Sequence, residues 1–142
     1  VVVMEGLTTY LSRQKTDASA VAKQKEQTIS NFELQAVWNV AENTGRHYAK
    51  VSGDFNLIHI HALTAKVFGF KQAIAHGMWS KARALASLSL PDAYEVDIHF
   101  KLPMFLPSMV EFLTAEDKAS TQILIRNEKS HKPHVAGTLK AL

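Results

Sequence analysis

Tyr48-Ala49-Lys50-Val51-Ser52-Gly53-Asp54-Phe55-Asn56-Leu57-Ile58-His59-Ile60-His61 places a carboxylate, an amide and two imidazoles in one short segment, introduced by a Ser-Gly-Asp turn. Singly, these residues have plain readings. Asp54 after Gly53 suits an Asx-turn, Asn56 suits another turn position, and His59 between Ile58 and Ile60 suits a hydrogen-bonded structural histidine. Together they suit chemistry. A carboxylate and an imidazole on one irregular loop can converge on a single water molecule. Asp54, ionised, can orient or deprotonate that water, His59 titrates near neutrality and can take or return a proton, and Asn56 can brace the imidazole or the loop.

A second cluster, Ala75-His76-Gly77-Met78-Trp79, opens a helix-like segment. Gly77 stands at the expected helix start, either as a permissive hinge or as a side-chain-free N–H that can approach a ligand oxygen where the helix dipole favours negative charge. His61 and His76 are the further residues that could join His59 and Asp54 around a metal. His-x-His on a strand would put two rings on one face, but acid/base chemistry is the preferred reading and no metal is expected. His61 otherwise reads as a surface residue capping the helix from Ala62. Ser52 and Ser80 lack a G-x-S-x-G context, and no Gly-rich phosphate loop is present. His131 and His134 flank Pro133 and read as solvent-facing.

Around these clusters the pattern alternates between periods. Leu34, Ala36, Trp38 and Val40 form the apolar parity of a half-buried strand, and Asn43-Thr44-Gly45 ends it. A short helix is expected over Arg46–Val51 and another over Ala62–Phe68, with Leu63, Val67 and Phe70 on one face and Gly69 as its cap. A longer helix is expected over Met78–Leu90, with Met78, Ala82, Leu85, Ala86 and Ser89 on one face and Pro91-Asp92 as its stop. Four strand segments follow in meander-like order, marked by Val96/Ile98/Phe100, Val110/Phe112, Ile123/Ile125 and Val135/Gly137/Leu139/Ala141. One apolar sheet face and one amphipathic helix to cover it make a two-layer α+β domain.

The chain has 142 residues, 46% of them hydrophobic and 20% charged, enough for one folded core. No run reaches the apolar length of a membrane span, and Val1–Val3 lacks the features of a signal peptide. The absence of cysteine removes disulfides, thiolate nucleophiles and thiolate metal sites, and it fits a cytoplasmic protein. A net charge of +3 without a Lys/Arg block gives no footprint for nucleic acid, although a few cations would suit an anionic small ligand. Residues 1–11 read as a strand broken at Gly6, and Ser12–Ser30 as a polar linker.

Tyr48-Ala49-x-Val51-Ser52-Gly53-Asp54-x-Asn56-x-Ile58-His59, then Ile74-Ala75-His76-Gly77-Met78 and Phe100-Lys101-x-Pro103-x-x-Leu106-Pro107, resembles the MaoC-like hydratase/dehydratase family, the (R)-specific enoyl-CoA hydratases. The resemblance covers roughly residues 34–140. It implies a hot-dog fold, an antiparallel sheet wrapped around a long central helix, with 31–142 as that domain. Residues 1–30 would be an N-terminal strand and linker, the remnant of a preceding module. It implies reversible addition of water to a trans-2-enoyl-CoA to give an (R)-3-hydroxyacyl-CoA, with no cofactor beyond the CoA thioester. Asp54 and His59 would be the catalytic pair, Asn56 their support and the Gly77 N–H the oxyanion donor. As a partner it implies a second hot-dog, as a homodimer or a tandem pair, and neither nucleic acid nor membrane. The family's proline after the motif Asn is here Leu57, which bears on the stiffness of the loop. A hot-dog acyl-CoA thioesterase and a non-catalytic acyl-CoA-binding or dimerisation module remain the rival readings.

Overall fold

A computed structural model describes residues 3–9, 31–117 and 119–142. Its strands are β1 (Glu33–Val40), β2 (Tyr94–Phe100), β3 (Ser108–Asp117), β4 (Ser120–Asn127) and β5 (Pro133–Ala141). They form one antiparallel sheet in the order β1-β3-β4-β5-β2. Only β3, β4 and β5 are a meander. β2 crosses to the far edge beside β5, so the expected four-strand meander is corrected at its first member. Helices α1 (Thr44–Ser52), α2 (Leu57–Ile60), α3 (Ala62–Val67) and α4 (Gly77–Leu85) all lie between β1 and β2 in the chain. No helix among the described residues is long and apolar enough to cross a membrane.

The alternation that marks the strands also sets the core. Register places Phe112 opposite Ile125 and Ile125 opposite Val135, and all three are buried, so one apolar row crosses the three central strands. Trp38 of β1 stacks on Phe112 with ring centroids 4.9 Å apart, and the Arg83 guanidinium of α4 lies 5.3 Å from the centre of the Trp38 ring. Arg83 is exposed, yet this contact joins α4 to the edge strand β1.

Several local expectations change. The register of β1 shifts between Leu34 and Ala36, which leaves Leu34 exposed while Ala36, Trp38 and Val40 keep the inward parity. Helix α4 is nine residues long and ends at Leu85 rather than Leu90. Beyond it, tighter bonds from Ser87 N to Ala84 O and Leu88 N to Leu85 O close a turn, and the Ser87 hydroxyl donates back to the Arg83 carbonyl. Its buried face is Ser80 and Ala84, flanked by Trp79, Leu85 and Leu88, whereas Met78, Ala82, Ala86 and Ser89 are exposed. In α3 the buried residue is Ala65, and Leu63 and Val67 point outward. Gly69 has the expected left-handed conformation after the helix, φ 84°. Residues 3–9 carry no strand and have no ladder partner among the described residues, and Val3, Met4 and Leu7 are exposed. The rest of the 1–11 strand and the 12–30 linker fall outside the described residues.

Phe112 is wholly buried in this row, so Phe112→Ala should lower the unfolding free energy by about 3–5 kcal/mol. A urea titration would read it as a lower midpoint at an unchanged slope.

Candidate active site

Helix α1 delivers the chain to the site. It ends at Gly53, whose φ of 75° lets its N–H close on the Ala49 carbonyl and turns the chain out of the helix. The following loop is stitched by its own side chains. The Asp54 N–H donates to Ser52 Oγ at 3.2 Å, the Asn56 N–H to Asp54 Oδ1 at 3.1 Å, and the Ile58 N–H to Asn56 Oδ1 at 3.3 Å. Asn56 is thus the N-cap of α2, a four-residue helix where sequence alone suggests an irregular loop. Its amide oxygen braces the backbone and not the imidazole.

The short helix turns His59 inward. The ring is 9% exposed, and its Nδ1–H donates to the Ile74 carbonyl at 2.8 Å. A carbonyl oxygen only accepts, so Nδ1 carries the proton and Nε2 of the neutral ring keeps a lone pair. Burial, above all, lowers the His59 pKa below 6.5. The nearby His76 adds to this, while the hydrogen bond to Ile74 and the charge of Asp54 oppose it. His59 is therefore a neutral base at physiological pH. The carboxylate of Asp54 has the contrasting environment, with its side chain 54% exposed.

One carboxylate oxygen of Asp54 and one ring nitrogen each of His59 and His76 lie within 4.8 Å of one another. Two groups that each hydrogen-bond one water at ~2.8 Å stand roughly 4.6 Å apart, so this spacing suits a shared water. The same three donors are close enough to surround a metal ion. However, the His59 and His76 rings lie face to face, with centroids 3.8 Å apart and planes at 25°. An ion in the plane of one ring would lie well out of the plane of the other, so ligation by both requires the rings to splay. His61 is not in this group: its Nδ1 accepts from the Leu63 N–H and caps α3.

Gly77 is the first residue of α4, and His76 immediately before it holds the extended N-cap position. The first N–H groups of a helix have no acceptor within it, and they point along the dipole toward any ligand at that end. Gly77 is small for a packing reason as well. A Cβ there would lie 2.9 Å from Cε1 of Phe100, so the Phe100 ring fills the space and leaves only backbone facing the site.

Two participants were not singled out for the site from sequence. His76 was considered only as a metal ligand, yet it stacks on His59 and its Nε2–H donates to the Asp54 carbonyl at 3.0 Å. Its place directly before the helix-opening glycine was the available signal. Gly45, in the first turn of α1, packs so closely on the His59 carbonyl that any Cβ would overlap it. That contact joins segments fourteen residues apart and left no sequence signature. Ser80 is buried on the core side of α4. His134 corrects an expectation: it is buried in β5, Nδ1 donates to the Leu102 carbonyl at 3.1 Å, and burial lowers its pKa.

The chain matches the family model for the MaoC like domain over residues 6–102. It is 34% identical over 139 residues to 3-hydroxyacyl-thioester dehydratase X of Mycobacterium tuberculosis, covering 96% of this chain and 50% of that protein. Among solved structures, HtdX of Mycobacterium tuberculosis superposes with a TM-score of 0.73 at 35% identity, over 77% of this chain and 48% of that one. The R-hydratase PhaJ1 of Pseudomonas aeruginosa superposes with a TM-score of 0.66 at 23% identity, over 82% and 83% of the two chains. The architecture is the α+β hot-dog fold. The chain spans about half the length of the curated relative it matches.

Leu57 is the first residue of α2, a position where proline is favoured, and Asn56 before it has φ −55° and ψ 126°, the conformation that a following proline imposes. The backbone is already shaped for the family's proline. Leu57→Pro should therefore fold normally and gain about 0.4–1 kcal/mol in stability, read from denaturant midpoints. A loss of stability would show that the Leu57 N–H or side chain matters more than loop stiffness.

Proposed function

The chain belongs to the family of MaoC like domains, and on that premise we propose that it is a hydro-lyase adding water reversibly to a trans-2-enoyl-CoA to give an (R)-3-hydroxyacyl-CoA. The observation that carries the reading is the approach of the Asp54 carboxylate and a His59 ring nitrogen to within 4.8 Å, beside the N-terminus of α4. The names of the relatives, a 3-hydroxyacyl-thioester dehydratase and an R-hydratase, support the reaction class.

Each group has one task in this mechanism. The half-exposed Asp54 carboxylate accepts a hydrogen bond from the nucleophilic water and orients its oxygen toward C3 of the substrate. His59 Nε2 takes the other proton as the C3–O bond forms. The π electrons of the C2–C3 bond move into the thioester as an enolate, whose oxygen receives the Gly77 N–H at the positive end of α4. His59, now protonated, returns its proton to C2 on the face from which water came, so the addition is syn and the residue is neutral again. Dehydration runs the same steps backward and also starts from neutral His59. Asn56 acts through the loop by capping α2. No metal or organic cofactor enters these steps, and the carrier is the thioester itself.

A second hot-dog is the expected companion, as a copy of this chain or a tandem neighbour. Support comes from sheet edges at β1 and β2 and from exposed Phe55, Leu63, Val67 and Phe68 around the site loop. A cytoplasmic location is consistent with the cysteine-free composition.

Asp54→Asn and His59→Ala should each lower hydration of a short enoyl-CoA by about 10²–10⁴-fold while thermal unfolding stays near that of the unmodified protein. Loss of enoyl absorbance follows the reaction, and release of free thiol without that loss would identify a thioesterase instead. Wild-type rates in either variant would reject the assignment.

The active form holds His59 neutral, and its pKa lies below 6.5. The rate should therefore still exceed half of its plateau at pH 6.5 and fall further as acidification protonates His59. A midpoint above 6.5 in the pH–rate profile would contradict this role.

A further inference from the structure

We propose that His76 is a positioning residue that holds Asp54, His59 and the oxyanion end of α4 as one unit, an inference that rests on the hydratase reading above. The loop carrying Asp54 is exposed from Val51 through Leu57. Among the described residues, its other hydrogen bonds at 52–56 span four residues or fewer, from Ser52 Oγ to the Tyr48 carbonyl, Gly53 N to Ala49, Asp54 N to Ser52, Asn56 N to Asp54, Ile58 N to Asn56 and His59 N to the Asn56 carbonyl. Such bonds shape a loop but do not place it against the rest of the molecule. The bond from His76 Nε2–H to the Asp54 carbonyl spans 22 residues and supplies that placement.

His76 is built for the task. It is 3% exposed, stacked on His59 at 3.8 Å and in contact with the Tyr48 ring at 5.0 Å, so its ring is held from α1 and α2. Its Nε2 stands 3.8 Å from the Asp54 carboxylate, and its backbone leads directly into Gly77. A displacement of His76 would therefore move the base, the carboxylate and the oxyanion donor relative to one another. The carbonyl acceptor requires the proton on Nε2. The other nitrogen, Nδ1, is buried without a hydrogen-bond partner among the described residues. A lone pair there is less costly than a buried N–H with nothing to donate to, which also favours the Nε2–H form.

Because Leu57 lacks the stiffness of proline, this tether carries more of the burden of fixing the loop here than it would after a proline. The role is positional. His76 need not touch the substrate, and its contribution is the registry of groups that do.

Two substitutions separate the hydrogen bond from the packing. His76→Phe keeps a ring for the stack and removes the donor, while His76→Gln restores an N–H at the place of Nε2. Phe should lower kcat for hydration by about 10²-fold, the scale of a misplacement near 1 Å, with KM little changed, and Gln should recover most of that loss. Wild-type kcat in Phe, or a Gln variant no faster than Phe, overturns the proposal. Should His76→Phe fail to fold, the tautomer of His76 decides. The 15N spectrum of histidine-labelled protein should show His76 as the Nε2–H tautomer and His59 as Nδ1–H, and an Nδ1–H form of His76 also overturns it. A folded protein that hydrates no enoyl-CoA would reject the hydratase reading. The tether would then be judged by these spectra and by amide exchange at 53–56, which it requires to be faster in His76→Phe.

Discussion

Residues 73–75 are the strap on which the site depends. On one side the Ala75 N–H donates to the Met104 carbonyl and the Leu106 N–H to the Ala73 carbonyl, both at 2.8 Å, which fixes the strap to the segment leading into β3. On the other, the Ile74 N–H donates to the Ile58 carbonyl at 3.1 Å, and the Ile74 carbonyl accepts the Nδ1–H of His59. A single buried residue thus satisfies both its backbone groups by holding the segment that carries the base. The next two residues are His76 and Gly77. The proposed base, tether and oxyanion donor are all referred to one short stretch of backbone, and that stretch is referred to the sheet. Such a frame keeps donors aimed where charge will develop without reorganisation during the reaction.

This dependence explains which parts of the protein were legible in sequence. Strands β3 to β5 were, because a sheet with one buried face writes its period of two into residues such as Val110/Phe112 and Ile123/Ile125. The helix-opening role of Gly77 was legible because a glycine before an apolar run is a local signal. Helix α2 was not, since four residues are too short to show a period, and its cause, the Asn56 cap, resembles any turn asparagine. The inward face of α4 was misjudged because Met78 and the alanines are apolar without being buried. The face that packs on the sheet is that of Ser80 and Ala84, a tertiary contact that periodicity does not encode. His134 has the parity opposite to the core residues Val135 and Leu139, so alternation predicts it outward; it is buried because the segment after β2 covers it, with Nδ1 donating to the Leu102 carbonyl. In each case the missing information was a contact between distant segments.

The net charge of +3 also conceals an arrangement that matters to the proposed chemistry. Between Asn43 and Pro91 the chain has six Lys/Arg, at 46, 50, 66, 71, 81 and 83, and one acid, Asp54, so this part carries +5 and the remainder −2. The sole carboxylate of the helical layer is thus the one assigned to the water. An excess of cations in this layer suits a developing enolate and a phosphate-bearing substrate alike. The pair is therefore divided by environment, an exposed carboxylate beside a buried imidazole that stays neutral until the water gives up its proton.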